Sequence, residues 1–270
     1  MMAGISIVPD LGYLGEGISE GLARGLLVCF GGENLTGEGM GIGSVAIRCP
    51  GFTCFSRTSK DSPGGEGIVI RTFLVDTRMS WSILGFVSPS LTRSIESGIG
   101  AYMRHPGLQR LLMVPVMPLR SLFGIHPVFE SIPPTAEVTF TYQITGTAVD
   151  ISARVRRLAG PVGTVCLLNE LSADCFVTGW IGGIVPPPPG WEELSRERGA
   201  KSLYDPVHQI RFSIAAISTS PPLQSKIFWG REMGEDLGWA GFAVEVESPD
   251  GMVVPNEVRY RIEFTVGGLT

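Results

Sequence analysis

A chain of 270 residues with 44% hydrophobic and 17% charged residues is too apolar for general disorder and long enough to bury one large core or two small ones. A formal net charge of -5 excludes an overall basic field of the kind that attracts nucleic acid. Five cysteines, Cys29, Cys49, Cys54, Cys166 and Cys175, contain no C-x-x-C pair, which fits neither a disulfide framework nor a zinc ribbon.

The N-terminus has no basic region followed by an apolar run and a cleavage site, so a cytoplasmic location is expected. Gly17, Ser19 and Gly21 match G-x-S-x-G, but a nucleophile elbow needs a buried strand before it and earlier strands to supply an oxyanion loop. With so little chain upstream, the motif reads as a surface turn. Gly41, Gly43 and Ala46 in "GEGMGIGSVA" have the G-x-G-x-x-A spacing of a dinucleotide loop. No strand runs straight into the first glycine, and Pro50 stops any helix that would open after the third small residue. A glycine-rich turn feeding a strand over about Gly43 to Arg57 is therefore expected, with no nucleotide and no other cofactor. A second long strand, Gly67 to Met79, has no cleanly polar face, as in strands covered on both sides.

Residues Ser88 to Phe129 interrupt the strands. Ser88 or Ser90 offers an N-cap, Pro89 a first helical position, and Leu91, Ile95, Ile99 and Tyr102 or Met103 recur at helical spacing until Pro106. Arg93, Arg104, Arg110 and Arg120 oppose only Glu96, so this apolar insertion carries 4 − 1 = +3 within an acidic protein. Three readings follow: a helix packed across a sheet with its arginines snorkelling to water, a peripheral membrane contact, or a cap over a pocket.

The second half is a run of short strands: Ala136 to Thr145 and Thr147 to Arg156 joined at Gly146, then Val162 to Leu168, Cys175 to Ile181, Val207 to Ile217, Lys226 to Arg231, Gly241 to Glu247 and Val258 to Val266. Pro186 to Pro189 form a polyproline connection, followed by an expected short helix around Trp191 to Arg198. That connection is either an exposed crossover or a docking segment led by Trp191. The longest uncharged stretch, Cys175 to Trp191, is broken by glycines and prolines and cannot form a spanning helix.

His105, His126 and His208 stand beside or near prolines with no metal-ligand spacing, so no metal is expected. In "WGREMGEDLGW", Glu232, Glu235 and Asp236 lie between Trp229 and Trp239. Carboxylates framed by aromatics can have raised pKa values and donate protons; the plainer reading is a hairpin loop turned by Gly234 and Gly238.

The expected fold is mainly β: a large antiparallel meander forming a barrel or a two-sheet sandwich, divided as 1–87, the 88–129 insertion and 130–270. The meander resembles the lipocalin-like plan, although the glycine and tryptophan separated by one residue that mark the first strand of that family are absent. The leading expectation for function is binding of an apolar or amphipathic molecule, lipid or isoprenoid-like, within the β core, lined by Phe140, Tyr142, Trp229 and Trp239 and capped by Tyr102 and Met103. Arg104, Arg110 and Arg120 would meet an anionic headgroup. The alternatives are a cofactor-free lyase, isomerase or cyclase with Glu232, Asp236 and His208 as acid and base, and a noncatalytic subunit of a homo-oligomer or other assembly.

Overall fold

The computed structural model describes residues 4–9, 25–37, 40–49, 52–63, 68–95, 122–160, 162–181, 183–194, 201–233, 238–247 and 255–267. The first half supplies β1 (Ile5–Pro9), β2 (Leu26–Phe30), β3 (Glu33–Asn34), β4 (Ile42–Cys49), β5 (Phe52–Pro63), β6 (Ile68–Ile83) and β7 (Phe86–Val87). A helix, α1, covers residues 89–95. The second half supplies β8 (His126–Thr145), β9 (Ala148–Arg157), β10 (Thr164–Ser172), β11 (Thr178–Ile181), β12 (Ile184–Val185), β13 (Gly190–Glu193), β14 (Lys201–Asp205), β15 (Ile210–Ser220), β16 (Ser225–Glu232), β17 (Trp239–Val246) and β18 (Glu257–Val266).

Antiparallel pairings connect these strands along one path. From one edge it runs β12, β11, β14, β15, β18, β9, β8 and β6, then β5, β4, β10, β17, β16 and β13. The path folds over at its long middle strands, so that its two halves face each other as layers. Four contacts across the interior demonstrate this. Phe212 of β15 meets Phe242 of β17 edge-on, with centroids 5.0 Å apart. Tyr260 of β18 donates to Asn169 of β10 at 3.1 Å, and Tyr142 of β8 donates to the Gly43 carbonyl at the start of β4 at 3.1 Å. On β11, Gly179 has no side chain because the Trp229 ring of β16 fills that space. Of the two expected architectures the molecule adopts the sandwich, without closing into a barrel. The edge strands β12 and β13 are joined covalently by Pro186–Pro189 rather than by a hydrogen-bond ladder.

Alternation along each strand explains the core. Val165, Leu167, Asn169 and Leu171 point inward from β10, and Ala240, Phe242, Val244 and Val246 from β17, all fully buried. Phe212 also stacks on Phe264 at 5.1 Å and meets Phe176 at 5.9 Å. Each such side chain contributes on the order of 1.5–3 kcal/mol by burial, which makes this aromatic cluster the main anchor between the layers. The β1–β2–β3 unit lies across one end, where the Ser172 N–H donates to the Leu35 carbonyl at 3.0 Å.

The glycine motif behaves as turn and strand. β4 begins at Ile42, no helix opens at Ala46, and Gly43 has φ 86° beneath the Tyr142 ring. Only glycine meets both demands, because a Cβ there would lie 2.5 Å from the Tyr142 oxygen. The expected hairpin at Gly146 forms, with φ 60° at the turn.

Three expectations need correction. The strand over Gly43 to Arg57 is two paired strands, β4 and β5, since Pro50 has no N–H to continue a ladder. Trp191 begins no helix; Gly190–Glu193 pairs with β16 instead, because an open sheet edge offers this segment the hydrogen bonds that a short isolated helix lacks. β8 starts at His126, ten residues before the expected Ala136, with Pro133 and Pro134 absorbed in an irregularity opposite Val75 and Thr77. α1 is capped as expected, by Ser88, whose Oγ accepts from the Leu91 N–H at 3.1 Å. Residues 96–121, and with them most of the insertion, lie outside the described residues.

Candidate functional site

The outer face of the β13–β16–β17–β10 layer carries the most chemically pointed arrangement. Its register sets Glu170 opposite Gly241, Gly241 opposite Gly230, and Gly230 opposite Trp191. The neighbouring row runs Ser172, Trp239, Glu232. Both glycines are enforced by close backbone approach: a Cβ on Gly241 would strike the Asn169 carbonyl oxygen, and one on Gly230 the Gly190 carbonyl oxygen. The two glycines also put no side chain between Glu170 and Trp191.

Over this gap the Trp191 and Trp239 rings stack, with centroids 4.0 Å apart and planes 18° from parallel. Both indoles remain half-exposed. The Trp239 Nε1–H donates to Glu232 Oε2 at 3.2 Å, fixing that exposed carboxylate beside the aromatic pair. Glu170 is held from both sides of its peptide plane: its N–H donates to the Gly41 carbonyl at 3.0 Å, and the preceding Asn169 is locked into the core by Tyr260. Alternation then directs the Glu170 carboxyl outward. Burial, and secondarily the charge of Glu232, push that carboxyl up from 4.5 to about 7. The residue keeps part of its surface open while its carboxyl is closely surrounded, a setting in which an acid is half-protonated near neutral pH.

Of the residues expected to form the site, Glu232 and Trp239 are therefore brought together. Trp229 is not with them: it faces inward, opposite Phe242, and is buried against Gly179. Phe140 and Tyr142 are fully buried and stack on each other at 5.8 Å. Asp236, Tyr102, Met103, Arg104, Arg110 and Arg120 lie outside the described residues. Glu170 and the ring contact of Trp191 were missed. The available signal for Glu170 was a single acid inside the otherwise apolar "TVCLLNELS".

His208 stands elsewhere at the same end of the sandwich. Its Nδ1 meets Asp205 Oδ2 at 2.6 Å and its Nε2 meets Glu33 Oε2 at 3.2 Å, while Phe30 packs edge-on at 5.5 Å. Asp205 is fully buried and its other oxygen accepts from the Val207 and His208 N–H groups. The Asp205 hydrogen bond is the main cause of a raised His208 pKa. Both ring nitrogens are occupied, so this cluster ties the β14–β15 turn to β3. Cys166, pushed up to about 12 by burial and Glu245, is an inert thiol. Among the described residues, no group of three or more His, Cys, Asp or Glu side chains is placed to hold a metal ion.

A shallow cavity of about 620 Å³ lies on the outer face of the opposite layer, between β8, β9 and β18. Its charges are already matched. Arg261 pairs with Asp150 at 3.1 Å, and Glu257 accepts from Ser152 at 2.6 Å and Arg259 at 2.7 Å.

No family model matches this chain, and no curated protein matches it. Among solved structures it is similar to the α-N-acetylgalactosaminidase NagBb of Bifidobacterium bifidum, at 11% identity and a TM-score of 0.45, over 99% of this chain and 36% of that one. It is also similar to the heparan sulfate lyase HepC of Pedobacter heparinus, at 8% identity and 0.43, over 98% of this chain and 34% of that one. A third similarity is to a protein of Escherichia coli K12 whose assignment as an aldose 1-epimerase is itself a proposal, at 8% identity and 0.40, over 98% of this chain and 100% of that one. The chain thus spans about a third of the length of the first two. At such identities and TM-scores these similarities say nothing of what this chain binds or does.

Proposed function

We propose that the protein binds a small amphipathic ring on the Trp191–Trp239 pair and catalyses a cofactor-free proton transfer on it, as an isomerase or lyase. The observation that carries this reading is the position of Glu170, an acid near neutrality, beside a second carboxylate and an aromatic platform. Two carboxyl groups with different surroundings can divide the roles of proton donor and acceptor. Glu170, when protonated, gives a proton to a ring or carbonyl oxygen; Glu232, held by Trp239, takes one from a neighbouring carbon or hydroxyl. The indoles offer a flat apolar surface and the carboxyls hydrogen-bonding edges, which suits a molecule with one C–H face and a polar rim, as a pyranose has. The inward-facing aromatics Phe140, Tyr142 and Trp229 are all buried in the hydrophobic core, which favours this outer face over the β core as the binding place.

The test uses tryptophan fluorescence and proton NMR against a panel of aldoses, uronic acids and apolar probes. Saturable quenching by a pyranose, lost in Trp239→Ala, is expected. Accelerated proton exchange or anomer interconversion should follow a pH profile set by Glu170 and vanish in Glu170→Gln with binding retained. No saturable response across the panel, or undiminished turnover in Glu170→Gln, overturns the reading.

A further inference from the structure

We propose that His208 is a proton-operated latch that holds the β2–β3 unit against the end of β10, so that pH governs how firmly the Ser172–Trp239–Glu232 edge of the candidate site is closed. As regulation of that site the inference rests on the function proposed above; the latch itself does not.

Both ring nitrogens of His208 face carboxylate oxygens, Nδ1 that of Asp205 at 2.6 Å and Nε2 that of Glu33 at 3.2 Å. An ionised carboxylate only accepts, so both contacts are hydrogen bonds only while the ring carries two N–H groups, as the imidazolium does. The two partners differ. Asp205 is fully buried and also accepts from the Val207 and His208 N–H groups, whereas the Glu33 side chain is 62% exposed. When the ring loses one proton, the other therefore stays on Nδ1 with Asp205, and the Nε2 lone pair is left facing the Glu33 carboxylate. Attraction becomes repulsion, and Glu33 turns to water. The contact is complete below the ordinary histidine value of 6.5 and is lost as pH rises through the higher value that the Asp205 hydrogen bond imposes. Asp205 and Glu33 are the charges that act on the ring. Asp174 and Cys175, on the turn after β10, lie near both carboxylates; Arg231 is turned to the Ala173 carbonyl at 2.9 Å, and β18 meets the His208 turn through the Gly267 backbone.

The unit that Glu33 belongs to has a second docking point. The Leu35 carbonyl accepts from the Ser172 N–H at 3.0 Å, and Gly37 lies so close that a Cβ on it would be 3.2 Å from the Ser172 Cβ. Between the two points the chain is fastened to β2: the Leu35 N–H donates to the Val28 carbonyl at 2.8 Å, and the buried Thr36 hydroxyl accepts from the Val28 N–H at 2.6 Å. Phe30 of the same strand packs edge-on against the His208 ring at 5.5 Å. His208 and Ser172 thus hold one piece from two sides. Ser172 in turn pairs with Trp239, and Trp239 with Glu232.

Amide hydrogen exchange of the full chain, corrected for the intrinsic effect of pH, reads the latch without any substrate. Protection of the Ser172 N–H is expected to fall about threefold between about pH 5.5 and about pH 8.5, the scale of one partly exposed ion pair. Glu33→Gln should keep the acid-side protection at both pH values, because an amide accepts from the imidazolium and donates to the neutral ring. Glu33→Ala should show the lower protection at both. The same fall in Glu170→Gln as in wild type assigns it to His208 rather than to the titration of Glu170. Nitrogen-15 NMR of the ring should show two N–H groups on the acid side and one, on Nδ1, on the alkaline side. Wild-type protection that does not change with pH, an equal fall in Glu33→Gln, or a neutral ring protonated on Nε2 overturns the proposal. A latch that responds as expected in a protein that binds no pyranose supports the latch and overturns only the function of the site.

Discussion

The Tyr260 hydroxyl on β18 donates to the Asn169 side-chain oxygen on β10 across 3.1 Å, a buried polar tie between two layers of apolar side chains. Asn169 in turn donates to the Leu167 and Phe242 carbonyls at 3.4 and 3.3 Å, so its amide joins β10 to β17 and both to β18. Tyr260→Phe leaves a buried acceptor without its donor and should cost about 1–3 kcal/mol in urea denaturation. Tyr260→Phe/Asn169→Leu should cost less than the two single changes added, because neither the Tyr260 hydroxyl nor the Asn169 side-chain oxygen is then left without the other.

Gly43→Ala meets two penalties, a positive φ and the Tyr142 oxygen. A loss of about 1–3 kcal/mol is expected, with only part of the steric penalty returned in Gly43→Ala/Tyr142→Phe, because the ring Cε1 would still lie 2.9 Å from the new Cβ. NAD, FAD and ATP should leave the wild-type thermal midpoint unmoved; a ligand at 100 times its dissociation constant would stabilise by about 2.7 kcal/mol.

Glu170 and His208 make stability fall as pH rises, for opposite reasons. The Glu170 carboxyl is raised from 4.5 to about 7, so the folded state binds the proton more tightly than the unfolded state. Its contribution is present in full below pH 4.5 and is lost as pH rises through about 7, a change of about 3 kcal/mol. His208, raised by Asp205, contributes fully below its ordinary 6.5 and loses that contribution as pH rises through its higher folded value. Urea midpoints measured from pH 4 to 9 should decline in wild type. Glu170→Gln should flatten the lower part of the curve and stabilise the protein at alkaline pH, while His208→Asn should flatten only the upper part. A wild-type midpoint that rises across this range would contradict both assignments.

The circular dichroism of the whole chain should be strand-dominated with a minor helical part. A helix-dominated spectrum would contradict the sandwich.

The C-terminal strands were legible because β9, from Val149 onward, and β18 alternate between buried and open positions, which is the pattern a half-buried strand writes into sequence. β13 was not legible, because "GWEE" has no pattern of its own and is a strand only through the edge that β16 offers. The site divides in the same way. Glu232 and Trp239 could be paired from the sequence because they close one hairpin. Glu170 joins them only through the register of β10 on β17, and Trp191 only through that of β13 on β16, neither of which local sequence encodes. Trp229 misled for a simple reason: it sits an even number of positions from Trp239 along the chain, but the hairpin between them reverses direction and sends the two rings to opposite faces.

The pairing path has a consequence for how the chain must be made. β4, synthesised early, lies between β5 and β10, and β10 lies between β4 and β17. β18, which follows all the other strands named above along the chain, is the interior partner of both β9 and β15. Strands that emerge first therefore wait with open edges for partners still being translated, which predicts slow folding and a nascent chain that needs shielding from its neighbours. A truncation before Glu257 would remove a strand from the middle of a layer and leave β9 and β15 as two unpaired edges.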